Sequence, residues 1–276
     1  MIVGRVEGLW RYPVKSMLGE ELAEAEVGGR GVDGDRGLAL LDVATGQVAS
    51  AKNPRLWRQL LTFTARATDE GVRITGPAGK GFLSTDPAAD GLLSGLLGRR
   101  VSLRDTPPPR ATLQRSVPEE VLRSGVEAEV GHTVSELGRA APVGTFFDFA
   151  PLHLLSTATL DRIAELSPRG SAEAARYRPN LVIRTDGPPF AENDWAGREL
   201  LVGDGLHLKV LVPTPRCAVP TLAHGELPRD ADALRVLARH NRVEPLPGLG
   251  LLPCAGAYAQ VVHPGRVRAG DVVRPA

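Results

Sequence analysis

With 276 residues, 42% of them hydrophobic, and a formal net charge of +1, the chain has room for one large or two modest domains around a substantial core. The near-neutral balance argues against a general nucleic-acid or membrane-surface role, which wants a basic excess. Two cysteines make no disulfide framework, and no apolar run reaches the roughly 20 residues of a membrane-spanning helix.

The opening residues, Met1 to Gly8, carry no apolar signal segment, which gives the expectation of a cytoplasmic protein. Ile2 to Leu9 alternates and reads as a strand. It runs into a basic and hydroxylic loop, Arg11 to Ser16. Leu22 to Val27 is a second alternating run, followed by a glycine turn at 28–31. Asp33 to Gly37 is a polar loop before a strand at Leu38 to Asp42. Thr45-Gly46 signals a hairpin, with Gln47 to Ala51 returning. Leu60 to Thr68 and Gly71 to Thr75 read as another hairpin. Pro87 to Leu97 has helical spacing and stops at Gly98. Val101 to Arg104 is a strand. The first 105 residues, mostly short strands at hairpin spacing, suggest a barrel-like or sandwich unit.

Thr106-Pro107-Pro108-Pro109 cannot be helical and marks a linker, so the division is 1–105 and 106–276. Beyond it, Val117 to Gly125 reads as a helix and Phe146 to Phe149 as a strand. Pro151 onward gives a strand turning into a helix, with Ser156 or Thr157 as N-cap. Ser171 to Arg176 continues helical, and Leu181 to Arg184 is an apolar strand. Glu199 to Val202 and Leu206 to Val212 are strands around a Gly-Asp-Gly turn. Pro213 and Pro215 should stop the second of these. Asp230 to His240 is an amphipathic helix. Tyr258 to His263 and Val267 to Val273 read as terminal strands joined by a turn at Pro264. The class is therefore mainly β (α+β), with peripheral helices.

The chemistry centres on Pro215-Arg216-Cys217. Prolines stiffen this loop and set a thiol directly after a permanent cation, a setting that favours the thiolate. Lys15, Ser16, Arg36, Arg178 and Asn180 sit on loops at strand ends and offer donors to an anionic group. Ser156 and Thr157 add a helix start. His153, inside an apolar run, reads as a buried, hydrogen-bonded core residue. There is no Cys-x-x-Cys, no His-Glu-x-x-His, no Gly-x-Gly-x-x-Gly and no Walker loop. Electrons for any redox chemistry would come from outside the chain.

Four stretches resemble the MOSC superfamily, named for the C-terminal domain of the molybdenum cofactor sulfurase. They are Tyr12-Pro13-Val14-Lys15-Ser16 with Gly19, then Gly34-Asp35-Arg36, then Arg178-Pro179-Asn180-Leu181-Val182 with Trp195 and Gly197, and finally Pro215 to Thr221 with the closing segment from Gly256 to Val273. The resemblance implies an N-terminal MOSC-type β-barrel domain (1–105) and a MOSC β-barrel domain (106–276). It is similar to the family's amidoxime-reducing members, which bind a molybdenum-molybdopterin cofactor between the domains. That implies Cys217 as catalytic residue and metal ligand. It implies Lys15, Ser16, Arg36, Arg178, Asn180 and Arg216 around the pterin and its phosphate, with Ser156 and Thr157 nearby.

The implied reaction is reduction of a small N-hydroxylated substrate. No ferredoxin domain follows in the chain, so the expected donor is a separate ferredoxin- or cytochrome b5-like protein. The alternative is a sulfur carrier with a persulfide on Cys217, no bound cofactor, and a pyridoxal phosphate-dependent partner supplying sulfur. Nucleic acid and membrane are not expected partners. Leu222-Ala223-His224-Gly225-Glu226 departs from the Asp-Pro-Asp-Thr-Gly of many relatives. The resemblance puts this loop at the cofactor mouth, so the substrate does not carry over. His224 reads there as a solvent-exposed loop residue.

Overall fold

A computed structural model describes residues 3–276. The part of the first predicted strand at Ile2 lies outside them. Seven strands close into a barrel: β1 (Gly4–Arg11), β2 (Leu152–Ser156), β3 (Leu181–Arg184), β4 (Glu199–Val202), β5 (Leu206–Pro215), β6 (Leu252–His263) and β7 (Val272–Pro275). The circuit runs β2-β3-β1-β7-β4-β5-β6 and returns to β2 through Leu152↔Ala259 and Leu154↔Ala257. Only β2 and β3 run parallel. β1 lies in the first 105 residues by sequence yet sits between β3 and β7 in the barrel.

The barrel forms because its strands alternate. Leu206, Leu208 and Val210 are fully buried on β5, while His207 and Lys209 between them are not. The same alternation puts Leu152 and Leu154, Leu181 and Ile183, and Leu200 and Val202 into one core. Helices cover the outside. Thr157–Leu166, Asp232–His240 and the short Ala174–Tyr177 share a second core around Tyr177 and Leu237.

The remaining N-terminal residues form small sheets around a third core containing Trp57, Leu60, Phe63 and Leu93. Ala39–Asp42 pairs with Val101–Arg104, and Thr64–Thr68, Gly71–Thr75 and Gly81–Leu83 make a meander. Single bridges at Val14–Leu38, Leu18–Thr64 and Leu41–Val48 connect them. Gly19 closes this unit against β1: a Cβ there would clash with the Arg11 carbonyl and the Tyr12 ring.

Several expectations need correction. β5 runs through both prolines to Pro215. Its register against β6 shifts between Val210 and Val212 and again between Pro213 and Pro215, so the missing proline N–H groups fall at irregularities. Leu60 to Thr62 is part of a 3₁₀ turn, Arg58–Thr62, because Leu60 and Leu61 are both buried and cannot alternate. Gln47 to Ala51 returns beside Ala39–Asp42 with one bridge only; the ladder partner is Val101–Arg104. Phe146 to Phe149 is not a strand, since its polar groups serve Lys15. The second terminal strand, Val267 to Val273, is two strands divided at 269–271. After Pro264 the chain gives Gly265–Arg268 to Glu24–Gly28, then returns β7 to the barrel.

Candidate active site

The ends of β1 and β5 and the starts of β2 and β3 meet at one end of the barrel. A cavity of ≈ 240 Å³ opens there. Lys15, Ser16, Arg36, Arg178, Asn180, Arg216 and Cys217 all line it, so the structure brings seven of the nine expected residues together from four separate segments. The cavity takes residues from both sides of residue 105.

Backbone geometry shows how tightly these loops are held. Among the described residues, five non-glycine residues have positive φ, and three of them are Ser16 (66°), Arg36 (48°) and Arg178 (55°). Non-glycine residues rarely sit in this region, and such conformations persist where the surroundings over-determine them. Arg36 N–H donates to the Tyr12 carbonyl at 2.8 Å, and Lys15 N–H to the Leu38 carbonyl at 2.8 Å, which laces the two basic loops together. Arg178 N–H closes the helix Ala174–Tyr177 onto Ala174 O. Arg216 N–H donates to Pro253 O at 2.8 Å, which fixes the cysteine loop to the start of β6.

The side chains carry a strong positive field. Seven cationic residues face the cavity (Lys15, Arg36, Lys52, Arg115, Arg139, Arg178 and Arg216) against two carboxylates, Glu136 and Asp148. Asp148 Oδ1 sits 2.7 Å from Lys15 Nζ and 3.1 Å from Lys52 Nζ. Burial works against the Asp148 charge, but the two lysines outweigh it and hold the carboxyl far below its usual range. Burial pulls Lys15 down to about 8, with Asp148 opposing. Arg36 pairs with Asp35, and the Arg36 and Arg178 guanidiniums lie 4.8 and 4.2 Å from the Tyr12 ring centre. Arg178 Nη1 donates to Met17 O and Arg216 Nη2 to Tyr177 O, each at 2.7 Å. Arg178 Nη2 and Arg216 Nε are buried and have no partner among the described residues. Two unsatisfied buried guanidinium donors are costly unless a ligand meets them.

Cys217 is a free thiol, 8% exposed, packed beside Leu61 and Val219. Cys254 is also free, and burial pushes its thiol up to about 12. Among the described residues no group of three His, Cys, Asp or Glu side chains is arranged to hold a metal ion, and no helix is long and apolar enough to cross a membrane.

Two expected site residues are placed elsewhere. Ser156 is fully buried and does not line the cavity; its Oγ accepts from Thr159 N–H at 3.2 Å as a helix cap, and its N–H donates to Glu192. Thr157 Oγ1 accepts from Thr185 N–H, on the far side of the cap. Both hydroxyls are used by the fold. His224 is 3% exposed, not a solvent-exposed loop residue. Arg176 clamps its loop through Leu222 O and Pro228 O, and none of residues 222–226 lines the cavity.

Family models decide the relationship. The MOSC N-terminal β-barrel domain matches residues 3–98 and the MOSC domain residues 142–274. The chain belongs to the MOSC family. Within it, mitochondrial amidoxime-reducing component 1 of Mus musculus is 28% identical over 98% of this chain and 82% of its own length. The Homo sapiens protein of the same name is 27% identical over the same shares. The crystal structure of the YuaD protein from Bacillus subtilis superposes on 98% of this MOSC chain and 93% of its own, at a TM-score of 0.47 and 12% identity.

Lining residues that were not expected from sequence as site residues include Lys52, Asp148, Tyr258 and His153. Asp148 had a readable signal. An acid inside Phe-Phe-Asp-Phe demands a cationic partner once its neighbours bury. His153 is buried and hydrogen-bonded, with Nε2 3.2 Å from Ala255 O, and it also forms part of the MOSC cavity wall beside Arg216. Burial, then Arg216, pulls it to about 3, so it is neutral.

Proposed function

We propose that this protein is a molybdenum cofactor-dependent reductase of N-hydroxylated compounds, supplied with electrons by a separate donor protein. One observation carries the reading. Four remote loops bring a free cysteine and a guanidinium-rich wall, with two unpartnered buried nitrogens, to one cavity. The residues fit the group. Arg178, Arg216, Arg36 and Lys15 would hold the pterin and its phosphate. Cys217 offers the soft sulfur ligand that molybdenum takes. Asn180 and Ser16 act mainly by fixing these loops: Asn180 binds Asp35, and Ser16 Oγ accepts from Ala51 N–H. We read the chain as two units, 1–105 and 106–276, that share the cavity, with β1 reaching from the first into the second.

Bound cofactor supplies the two-electron couple that N–O cleavage needs. The chain supplies the rest. The reaction consumes two protons and releases water, and Lys15 Nζ holds a proton in the neutral range on the cavity wall. Asp148 keeps that ammonium in place. Neutral His153 and the Arg216 guanidinium close the floor near Cys217. The alternative, a persulfide on Cys217 delivered by a pyridoxal phosphate-dependent partner, needs a thiol that another protein can reach. At 8% exposure inside a cavity, Cys217 suits a ligand better than a carrier.

The test is expression in a cofactor-producing host, then molybdenum by elemental analysis and pterin by fluorescence after oxidation. The expected result is molybdenum near stoichiometry and reduction of an amidoxime by the reduced protein. Cys217→Ala is expected to stay folded and lose activity. Protein free of both metal and pterin, or a fully active Cys217→Ala variant, sinks the assignment.

A further inference from the structure

We propose that the outer rim of the cavity selects substrates carrying an acidic group on an apolar body. This rests on reading the site as an N–O reductase. The deep cations are assigned on that reading: Lys15 and Lys52 share Asp148, Arg36 pairs with Asp35, and Arg178 and Arg216 each hold a backbone carbonyl and keep one buried nitrogen for the cofactor. Two lining cations are left over. Arg115 is half-buried on the strand Thr112–Ser116, and Arg139 is exposed just after the paired strand His132–Glu136. Neither forms an ion pair among the described residues. The carboxylate beside them, Glu136, is taken by Arg110 at 3.1 Å.

The same lining has an apolar part: Leu246 and Leu249 belong to it, and the Phe149 and Tyr258 rings, also in the lining, pack 5.3 Å apart. A neutral, fully apolar substrate would leave both guanidiniums idle. A cationic one would meet a net positive cavity. An aryl or alkyl body against the leucines with a carboxylate or phosphate toward Arg115 and Arg139 satisfies both groups of residues, because guanidinium binds such groups with paired N–H donors. The rim, and not the clamped loop 222–226, then sets the substrate.

The experiment uses the holoenzyme with a chemical reductant and two aryl amidoximes that differ only in a ring carboxylate versus its neutral carboxamide. The expected kcat/KM ratio favours the acid by about tenfold at low ionic strength, because two partly exposed charge contacts are modest and screened by salt. Added salt is expected to shrink the ratio, and the double variant Arg115→Gln/Arg139→Gln to bring it near one. Each single variant is expected to take part of the effect. A wild-type ratio near one, or a ratio kept by the double variant, overturns the inference. So does loss of molybdenum and pterin from the double variant, which would give the rim to the cofactor. Calorimetric binding of the same two compounds runs in parallel. If neither compound is turned over, the reductase reading fails, and the binding preference still decides the rim: tighter acid binding lost in the double variant upholds it, and equal binding overturns it.

Discussion

Asn180 Nδ2 donates to Asp35 Oδ2 at 2.9 Å, joining residues 145 apart in the chain. Asp35 Oδ1 accepts from Tyr12 N–H at 2.7 Å, and Asn180 Oδ1 accepts from His153 N–H at 3.2 Å. One buried amide therefore ties the Arg36 loop, the end of β1 and the start of β2. Asn180→Leu fills the space but leaves the Asp35 carboxylate a donor short. The expected loss is roughly 2–3 kcal/mol in urea unfolding, the cost of stranding buried polar partners. A loss below about 1 kcal/mol would show that water replaces the amide freely.

Lys15 and Asp148 form an asymmetric pair. The Lys15 side chain is 4% exposed, whereas Asp148 is 31% exposed and keeps Lys52 as a second partner. Asp148→Ala leaves an ammonium buried with only the Phe146 carbonyl at 2.7 Å. Lys15→Met leaves a carboxylate that still has Lys52 and some water. The first change is expected to cost about 3 kcal/mol or more, and the second clearly less, because breaking a buried pair hurts through the charge left behind. Denaturant midpoints of the two variants give the ranking. The reverse order would mean that Lys15 is hydrated through the cavity.

The barrel was legible wherever alternation was clean. Glu199 to Val202 falls where alternation puts it, and Leu181 to Arg184 where a short apolar run does, its first three residues being buried on both faces. The motifs made one convergence legible: Lys15, Arg36, Arg178 and Cys217 all reach the same cavity. Partnership was not legible. Nothing in local sequence says that Asp148 meets Lys15 across 133 residues, or that β1 closes a barrel built mostly from the far half of the chain. Ser156 and Thr157 stay out of the cavity lining for a physical reason. A helix start offers donors to an anion and equally to its own cap, and Glu192, fully buried against Ser156 N–H and Thr159 Oγ1, already occupies that end.

That placement carries a test. Ser156→Ala removes the Oγ that accepts from Thr159 N–H and is expected to cost about 1 kcal/mol, the usual effect of losing a helix cap. Molybdenum content should not change, because the side chain does not face the cavity. A variant of wild-type stability that lost its cofactor would return Ser156 to the site.

His224 gives the protein a pH dependence of definite sign. Its Nδ1 lies 3.0 Å from Leu222 O, and its buried Nε2 has no partner among the described residues. Burial pulls its pKa to about 4, with Arg178 and Arg176 pushing the same way and the Leu222 carbonyl and Glu173 opposing. The unfolded chain takes up the proton near 6.5, the folded one only near 4. Between those values the unfolded state binds more protons, so stability is complete above 6.5 and drains as pH falls toward 4. The slope approaches about 1.4 kcal/mol per pH unit for one such group. His153, lowered to about 3, adds a slope of the same sign. His224→Gln should flatten the curve without removing it. Urea midpoints at about pH 7 and about pH 5 supply the comparison, with the wild type losing about 1–2 kcal/mol more than the variant. Equal losses in the two proteins would show that His224 is protonated inside the fold, on water or a ligand that meets its free nitrogen.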